Sequence, residues 1–444
     1  MRKTCKIIVG TLLFTFFAIS LKAQQSSSPP FYIQDYELGK GIRFHGPNGG
    51  YFMKIRSYVQ STMEMRTTDN WDEVESRFRI RRARFDIEGK SAKEKFSYRI
   101  RVDFAIPNNS DGEDLYSGTL LDAFVTYKPH KNWKVTFGQR STMTDNREMR
   151  IPSDAMQFVE RSRVTSAFAA VRDFGLFVEG KQRIGSWYVK PGVAISAGDG
   201  QNAFRNRGGL KYGGRIDFLP FGLFRGMGEY SEVDHARQLT PKLVFGAAYS
   251  YNVGMSSRRG RKSGDIIYLG NDGVTETLPD YGKLVSDFMF KYQGWTVLGE
   301  FTWAYSRVYS PEIFYRVRNN GTSANLRSDD GLNNSTIVDY VSARMMVGRG
   351  YNIQGGYLFK QGYSIDGRFT YLDPDTNSFL NNEQFYNREK YITLAFSRYL
   401  MNDAAKVQVS ITYVDALPGS KRSDGEVMDA NAELFGRLMF QVSF

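Results

Sequence analysis

The chain has 444 residues, a formal net charge of +12, 15% aromatic residues and a single cysteine, Cys5. Beyond Cys5 there is no thiol, which excludes disulfides and thiolate metal sites from the rest of the chain. A mean hydropathy of −0.43, with one early apolar run and no other window near the roughly 20 residues of a spanning helix, excludes a helical membrane protein but not one that crosses with alternating strands.

Arg2, Lys3 and Lys6 precede the apolar run Ile7 to Leu21, and Ala23 is followed by Gln24 and Gln25. The pattern predicts a secretory signal peptide over residues 1–23 and therefore export. The +12 includes Arg2, Lys3, Lys6 and Lys22; without these four it is +8. An exported basic chain points to anionic solutes or lipid rather than nucleic acid. Residues 24–50 form an N-terminal segment that opens Ser/Pro-rich, and residues 51–444 read as one domain with no internal repeat or linker.

From Tyr51 to Arg66 the residues alternate: Tyr51, Met53, Ile55, Val59, Met63 and Met65 share one face, and Lys54, Arg56, Gln60, Thr62, Glu64 and Arg66 the other. A period of two means a strand with one apolar face. Glu75 to Gly89 repeats the pattern but slips by one residue at Arg81-Arg82, which predicts a β-bulge. Phe96 to Phe104, Leu121 to Tyr127 and Trp133 to Phe137 continue it. Later strands centre on Phe174–Val178, Val189–Ala197, Tyr212–Phe218, Leu243–Tyr251, Leu284–Tyr292, Trp295–Tyr305, Tyr351–Phe359, Ile365–Tyr371, Tyr391–Tyr399 and Val407–Tyr413. Asp339 to Val347 reads as either a strand extension or a loop.

The last stretch, Ala432 to Phe444, puts Leu434, Leu438, Phe440, Val442 and Phe444 on one face. A chain that ends on an aromatic in the apolar parity predicts the closing strand of a transmembrane barrel. The expected fold is therefore all-β: a transmembrane antiparallel β-barrel of about sixteen strands. The connections alternate short and long, as a two-ended barrel requires; Leu219 to Lys242 alone is long where a tight turn is due. Loops around Asn146, Asn271, Asn325, Asn377 and Gly425 are expected outside, with Asn132 and Gly294 at the opposite rim. Trp133, Trp187 and Trp295, at strand starts, suit an interfacial belt.

Arg77, Arg79, Arg82 and Arg84 oppose apolar neighbours, so they face the lumen, because an arginine on the lipid face costs about 2–4 kcal/mol at the midplane. Arg56, Arg99 and Arg101 share that face, and Arg140, Arg147 and Arg161 lie in or beside the long connection after Trp133–Arg140. These ten residues are the expected pore-lining, anion-binding set. The alternative is a wall of charges balanced by Glu64, Asp86, Glu88, Asp103 and Asp122. His45, His130 and His235 sit in turns, and no nucleophile elbow, zinc spacing or phosphate loop occurs, so no enzyme activity and no cofactor or metal site is expected. Asp329-Asp330 and Asp373-x-Asp375 either touch calcium or lipopolysaccharide-bound cations, or simply solvate loops.

Arg82-Ala83-Arg84 with Gly89, Tyr98, Asp103-Phe104, Leu121-Asp122-Ala123, Phe137-Gly138-Gln139-Arg140, Phe158-x-Glu160-Arg161 and Arg172-x-x-Gly175 occur in an order that resembles the phosphate-selective porin O and P family. Tyr357, Arg368, Tyr371 and Phe444 extend the resemblance over most of the exported chain. The resemblance implies a homotrimeric outer-membrane porin with basic residues along an anion path, and phosphate or polyphosphate among its solutes. Implied partners are small anionic solutes, outer-membrane lipid and lipopolysaccharide, and the barrel-assembly machinery acting on Phe444. Thr142-Met143 replaces the Pro-Phe often found after the Gly-Gln motif, and the N-terminal segment lacks a helical heptad pattern. Two other functions remain open on the residues: a surface-binding or scaffold barrel with a blocked lumen, and a barrel enzyme.

Overall fold

The computed structural model describes residues 32–46, 50–68, 74–91, 93–105, 119–203, 206–261, 266–318, 320–381, 389–415 and 432–444. The expected signal peptide and the loop at Gly425 lie outside the described residues. Sixteen antiparallel strands close into a barrel. They are β1 Tyr51–Thr68, β2 Val74–Ser91, β3 Phe96–Asp103, β4 Thr119–His130, β5 Trp133–Ser141, β6 Arg172–Gly180, β7 Trp187–Ser196 and β8 Lys211–Leu219. The second half comprises β9 Lys242–Asn252, β10 Asp280–Tyr292, β11 Trp295–Arg307, β12 Gly348–Leu358, β13 Tyr363–Pro374, β14 Lys390–Tyr399, β15 Ala405–Val414 and β16 Glu433–Ser443. Each predicted strand centre falls on one of these.

The ring closes where β16 pairs with β1, from Glu433 opposite Thr68 to Ser443 opposite Tyr58. Phe444 continues the ladder, donating its N–H to the Ser57 carbonyl at 2.8 Å and accepting from the Ser57 N–H at 2.7 Å. Below that point the first strand is paired instead with an N-terminal hairpin, Tyr32–Glu37 and Gly41–His45, through Ile42 opposite Ile55 to His45 opposite Phe52.

The polarity of the barrel is inverted relative to a soluble sheet. Phe78, Ile80, Phe137, Ile353 and Leu394 stand exposed on the outer wall, while Gln60, Asp86, Lys283, Asp287 and Gln408 are buried inside. That is the alternation a strand needs when lipid lies on one side and a polar lumen on the other. Trp133, Trp187 and Trp295 are exposed and begin upward strands, so they stand at the tight-turn rim. Gly89 is opposite Tyr98, and its missing Cβ lets the Tyr98 ring lie across the backbone, where a Cβ would stand 2.2 Å from a ring carbon.

The register between β1 and β2 shifts between Gln60 and Ser61, leaving Arg81 as the extra residue of the predicted bulge. Asp339 to Val347 is not a strand. It holds the end of a helix, Asn334–Ser342, whose N-cap Asn333 accepts from the N–H groups of Ser335 and Thr336 in a capping box. Ile337 and Val341 of that helix join Tyr268, Ile313, Leu326, Met345 and Phe379 in an apolar cluster, so the external loops pack into a roof over part of the barrel.

Candidate functional site

The lumen wall on β1 to β6 is a lattice of ion pairs. Asp86 on β2 receives Arg101 at 2.7 Å, Arg99 at 3.2 Å and Arg56 at 3.5 Å. Asp122 on β4 takes Arg172 at 2.8 Å and Arg101 at 3.6 Å, and Asp103 on β3 takes Arg84 at 2.7 Å. Partners alternate across neighbouring strands, so each buried charge meets an opposite one instead of being left uncompensated in a low-dielectric wall.

Residues 142–171 leave β5 and turn into the lumen instead of outward. Short helices α1 Arg147–Arg150 and α2 Arg163–Phe168 give the segment its shape, with the Ser162 hydroxyl accepting the Thr165 N–H at 3.2 Å as N-cap. Its ties radiate to the whole wall. Arg147 bonds Asp217 at 2.8 Å on β8 and Asp287 at 2.9 Å on β10; Asn146 bonds Glu300 at 2.8 Å on β11. Glu148 takes Arg368 of β13 at 2.8 Å, and the segment's carbonyls accept from Gln60, Lys406, Gln408 and Gln441. Asn146, expected on an external loop, is instead buried inside the barrel, because its amide is consumed by Thr165 and Glu300. Where the segment leaves β5, Met143 packs on Phe177 and Ala194 of the inner wall.

The bulge in β2 serves this segment. Arg81 and Arg82, consecutive in sequence, both reach Glu160, Arg82 at 3.3 Å, with Arg79 at 4.0 Å. In an unbulged strand one of the two would face lipid. Burial acts to raise the Glu160 carboxyl, but Arg81 and Arg82 outweigh it and hold the group well below the usual carboxylate range.

From the opposite rim, the long connection 220–241 also enters the barrel. The Glu232 N–H bonds the Ala155 carbonyl at 2.9 Å, and its carboxylate accepts from the Gln157 N–H at 2.8 Å and Gln354 Nε2 at 3.2 Å. Lys291 of β10 donates to the carbonyls of Gly228, Ser231 and Val233 at 2.8, 2.7 and 2.8 Å, like a staple through the turn. Burial and the neighbouring Glu148 push the Glu232 carboxyl up to about 7.

A cavity lies on either side of these inserts. The outer one, about 360 Å³, opens toward the long loops and is lined by Arg66, Arg79, Arg161, Arg163, Arg368 and Arg437 against Glu64, Glu160 and Glu433. Arg79 spends Nη2 on Glu64 at 2.8 Å, while its Nε and Nη1 are buried without a partner. The inner one, about 400 Å³, lies toward the tight turns between β4 to β8 and the 220–241 insert.

The predicted arginines fall into three groups. Arg79 and Arg161 line the outer cavity, and Arg77, on the same face of β2, is exposed nearer the mouth. Arg56, Arg82, Arg84, Arg99 and Arg101 are tied into the wall. Arg147 fastens the inserted segment, and Arg140 holds Glu179 at 2.6 Å above the Phe177 ring. Arg66, Arg163, Arg368 and Arg437, absent from the expected set, complete the outer cavity; strand parity marked Arg66, Arg368 and Arg437, whereas Arg163 opens helix α2 of the inserted segment.

Residues 54–236 match the family described as phosphate-selective porin O and P. That stretch contains the motifs from Arg82-Ala83-Arg84 to Arg172-x-x-Gly175. No curated protein matches. Among solved structures, Salmonella typhi OmpF in complex with daunomycin is similar at 10% identity over 88% of this chain and 98% of its own, with a TM-score of 0.50. An anion-selective porin from Comamonas acidovorans is similar at 8% identity over 89% and 100%, TM-score 0.48, and Pseudomonas putida OprB at 10% over 89% and 94%, TM-score 0.49. The fold is that of an outer-membrane porin barrel.

Proposed function

We propose that this chain is an outer-membrane channel through which small anions, oxyanions such as phosphate among them, diffuse passively. The observation that carries this is the outer cavity, where six arginines face three carboxylates. A guanidinium stays charged at any working pH and offers forked donors to an oxyanion, and low-dielectric walls focus the field of several such groups. Export and outer-membrane insertion fit the leader-like N-terminus and the Phe444 seam, and assembly as a homotrimer fits the family resemblance. A planar-bilayer recording in a salt gradient tests the reading: the zero-current potential should have the sign of an anion-preferring pore.

A second reading has its own support. The 142–171 segment and the 220–241 insert meet inside the barrel, Glu232 to Ala155, which favours a closed barrel that takes its ligand at the external face. Absence of single-channel current from folded, inserted protein would select it.

A further inference from the structure

The inner cavity has a chemistry different from that of the outer one. Its carboxylates are already taken: Glu179 by Lys134 at 3.0 Å and Arg140, Asp217 by Arg150 at 3.0 Å and Arg147, and Glu229 by Lys190. At the mouth stand Lys128, which pairs with Glu94 at 3.8 Å, and Lys131 and Lys181, which have no ion pair among the described residues. The field left for a ligand is therefore positive, from these ammonium groups at the mouth together with Arg150 and Arg215 deeper in the lining, which share Asp217 with Arg147.

The opposite wall is apolar and is supplied by the 220–241 insert: Leu223, Phe224, Met227 and Tyr230. Met227 is 73% exposed, and with Gly226 it lies in the left-handed region, at φ 54° beside φ 60°. A side chain other than Gly, Asn or Asp pays a conformational penalty there, and such a conformation persists where its surroundings impose it. Here the left-handed pair turns an unpacked thioether toward the cavity. A polarizable, flexible side chain of that kind adapts to an apolar ligand of variable shape.

We propose that this inner vestibule binds a small organic carboxylate with an apolar body, the carboxylate at the lysine mouth and the body against Met227. The proposal rests on the channel reading and narrows it to a substrate class for the inner half of the path. A hydrated inorganic phosphate would gain nothing from the Leu223–Tyr230 wall, which has few donors to replace the water that phosphate would lose. An ammonium is a point charge without the geometric demand of a fork, which suits a ligand positioned mainly by its apolar part.

The test compares two carboxylates of equal charge, cyclohexanecarboxylate and acetate, as blockers of the potassium chloride current through the full-length barrel in planar bilayers, with inorganic phosphate as a third probe. Cyclohexanecarboxylate should block about tenfold more strongly than acetate, the worth of roughly two buried methylenes, and more strongly from the tight-turn side. Met227→Asp should abolish the difference between the two carboxylates, and Met227→Leu should keep it, with heat-modifiable migration on gels confirming that both variants fold. Lys131→Glu together with Lys181→Glu should weaken both carboxylates alike. An anion-preferring current blocked equally by both carboxylates, or unaltered by Met227→Asp, overturns this proposal and leaves the channel standing. A cation-preferring current, or none, overturns the channel reading itself.

Discussion

Replacing Arg79 by glutamine removes one positive charge from the outer cavity with little damage to the wall. Glu64 would keep Arg437 at 3.1 Å, so no carboxylate is orphaned, and the two nitrogens lost, Nε and Nη1, bond nothing. A unit charge about 5 Å from a permeating ion is worth about 0.8 kcal/mol at a water-like dielectric. With a Debye length of about 10 Å at 0.1 M salt, screening leaves about 0.5 kcal/mol. The sign is opposite for chloride and potassium, so the difference doubles, and the anion-to-cation permeability ratio should fall about fivefold. At 1 M, where the Debye length is about 3 Å, the fall should shrink to less than about twofold. Zero-current potentials at both salt levels measure this directly. A folded, conducting Arg79→Gln barrel with an unchanged ratio at 0.1 M would refute the placement of Arg79 on the ion path. Arg84→Gln is the contrast: Arg84 bonds Asp103 at 2.7 Å and Tyr58 at 3.0 Å, so its loss should lower the denaturant midpoint more than it changes selectivity.

Lys291→Ala removes the donor shared by three carbonyls of the 220–241 insert, and should raise single-channel conductance and expose the insert to proteolysis; unchanged values would mean that its other ties, Glu229 to Lys190, Glu232 to Gln157 and Arg237 to the Leu358 carbonyl, suffice to hold it. Glu232 binds its proton more tightly folded, up to about 7 against an ordinary 4.5, so its contribution to stability is fully present below 4.5 and is lost as pH rises through about 7. Glu232→Gln should therefore flatten the fall in thermal midpoint across that window, and an unaltered slope would assign it to other groups. Single cysteines at Asn271 and Asn377, exposed at the long-loop end, should label on intact cells, while a cysteine at Asn146 should not.

Much of this architecture was legible because a membrane barrel writes its constraint into every second residue. The sixteen strand centres and the slip at Arg81-Arg82 follow from parity alone, and the lumenal side of Arg79 and Arg84 follows from the cost of guanidinium in lipid. What parity cannot supply is the path of a segment without periodicity. Residues 220–241 contain no alternation, and nothing local says whether such a connection hangs outside or folds in; Lys291, Gln354 and Ala155 decide it from 58 or more residues away. Pairing was equally hidden. Arg368 meets Glu148 at a sequence separation of 220, and Arg437 meets Glu64 at 373, so neither appears as a charge cluster in the linear chain.

The N-terminal hairpin has a consequence for how the ring closes. It occupies β1 below Ser57, and the Gly39 N–H bonds the Ser443 carbonyl at 3.0 Å, directly beneath the last strand. The hairpin joins residues about ten apart, whereas the seam joins residues hundreds apart, so the local pairing has the smaller loop-closure cost and precedes the seam. When β16 arrives, the lower third of its template is already filled. The hairpin thus acts as a physical end-stop, against which the final strand comes to rest with Ser443 beside Tyr58. A slip of one residue past that stop would turn Arg437 and Gln441 toward lipid and Phe440 toward water.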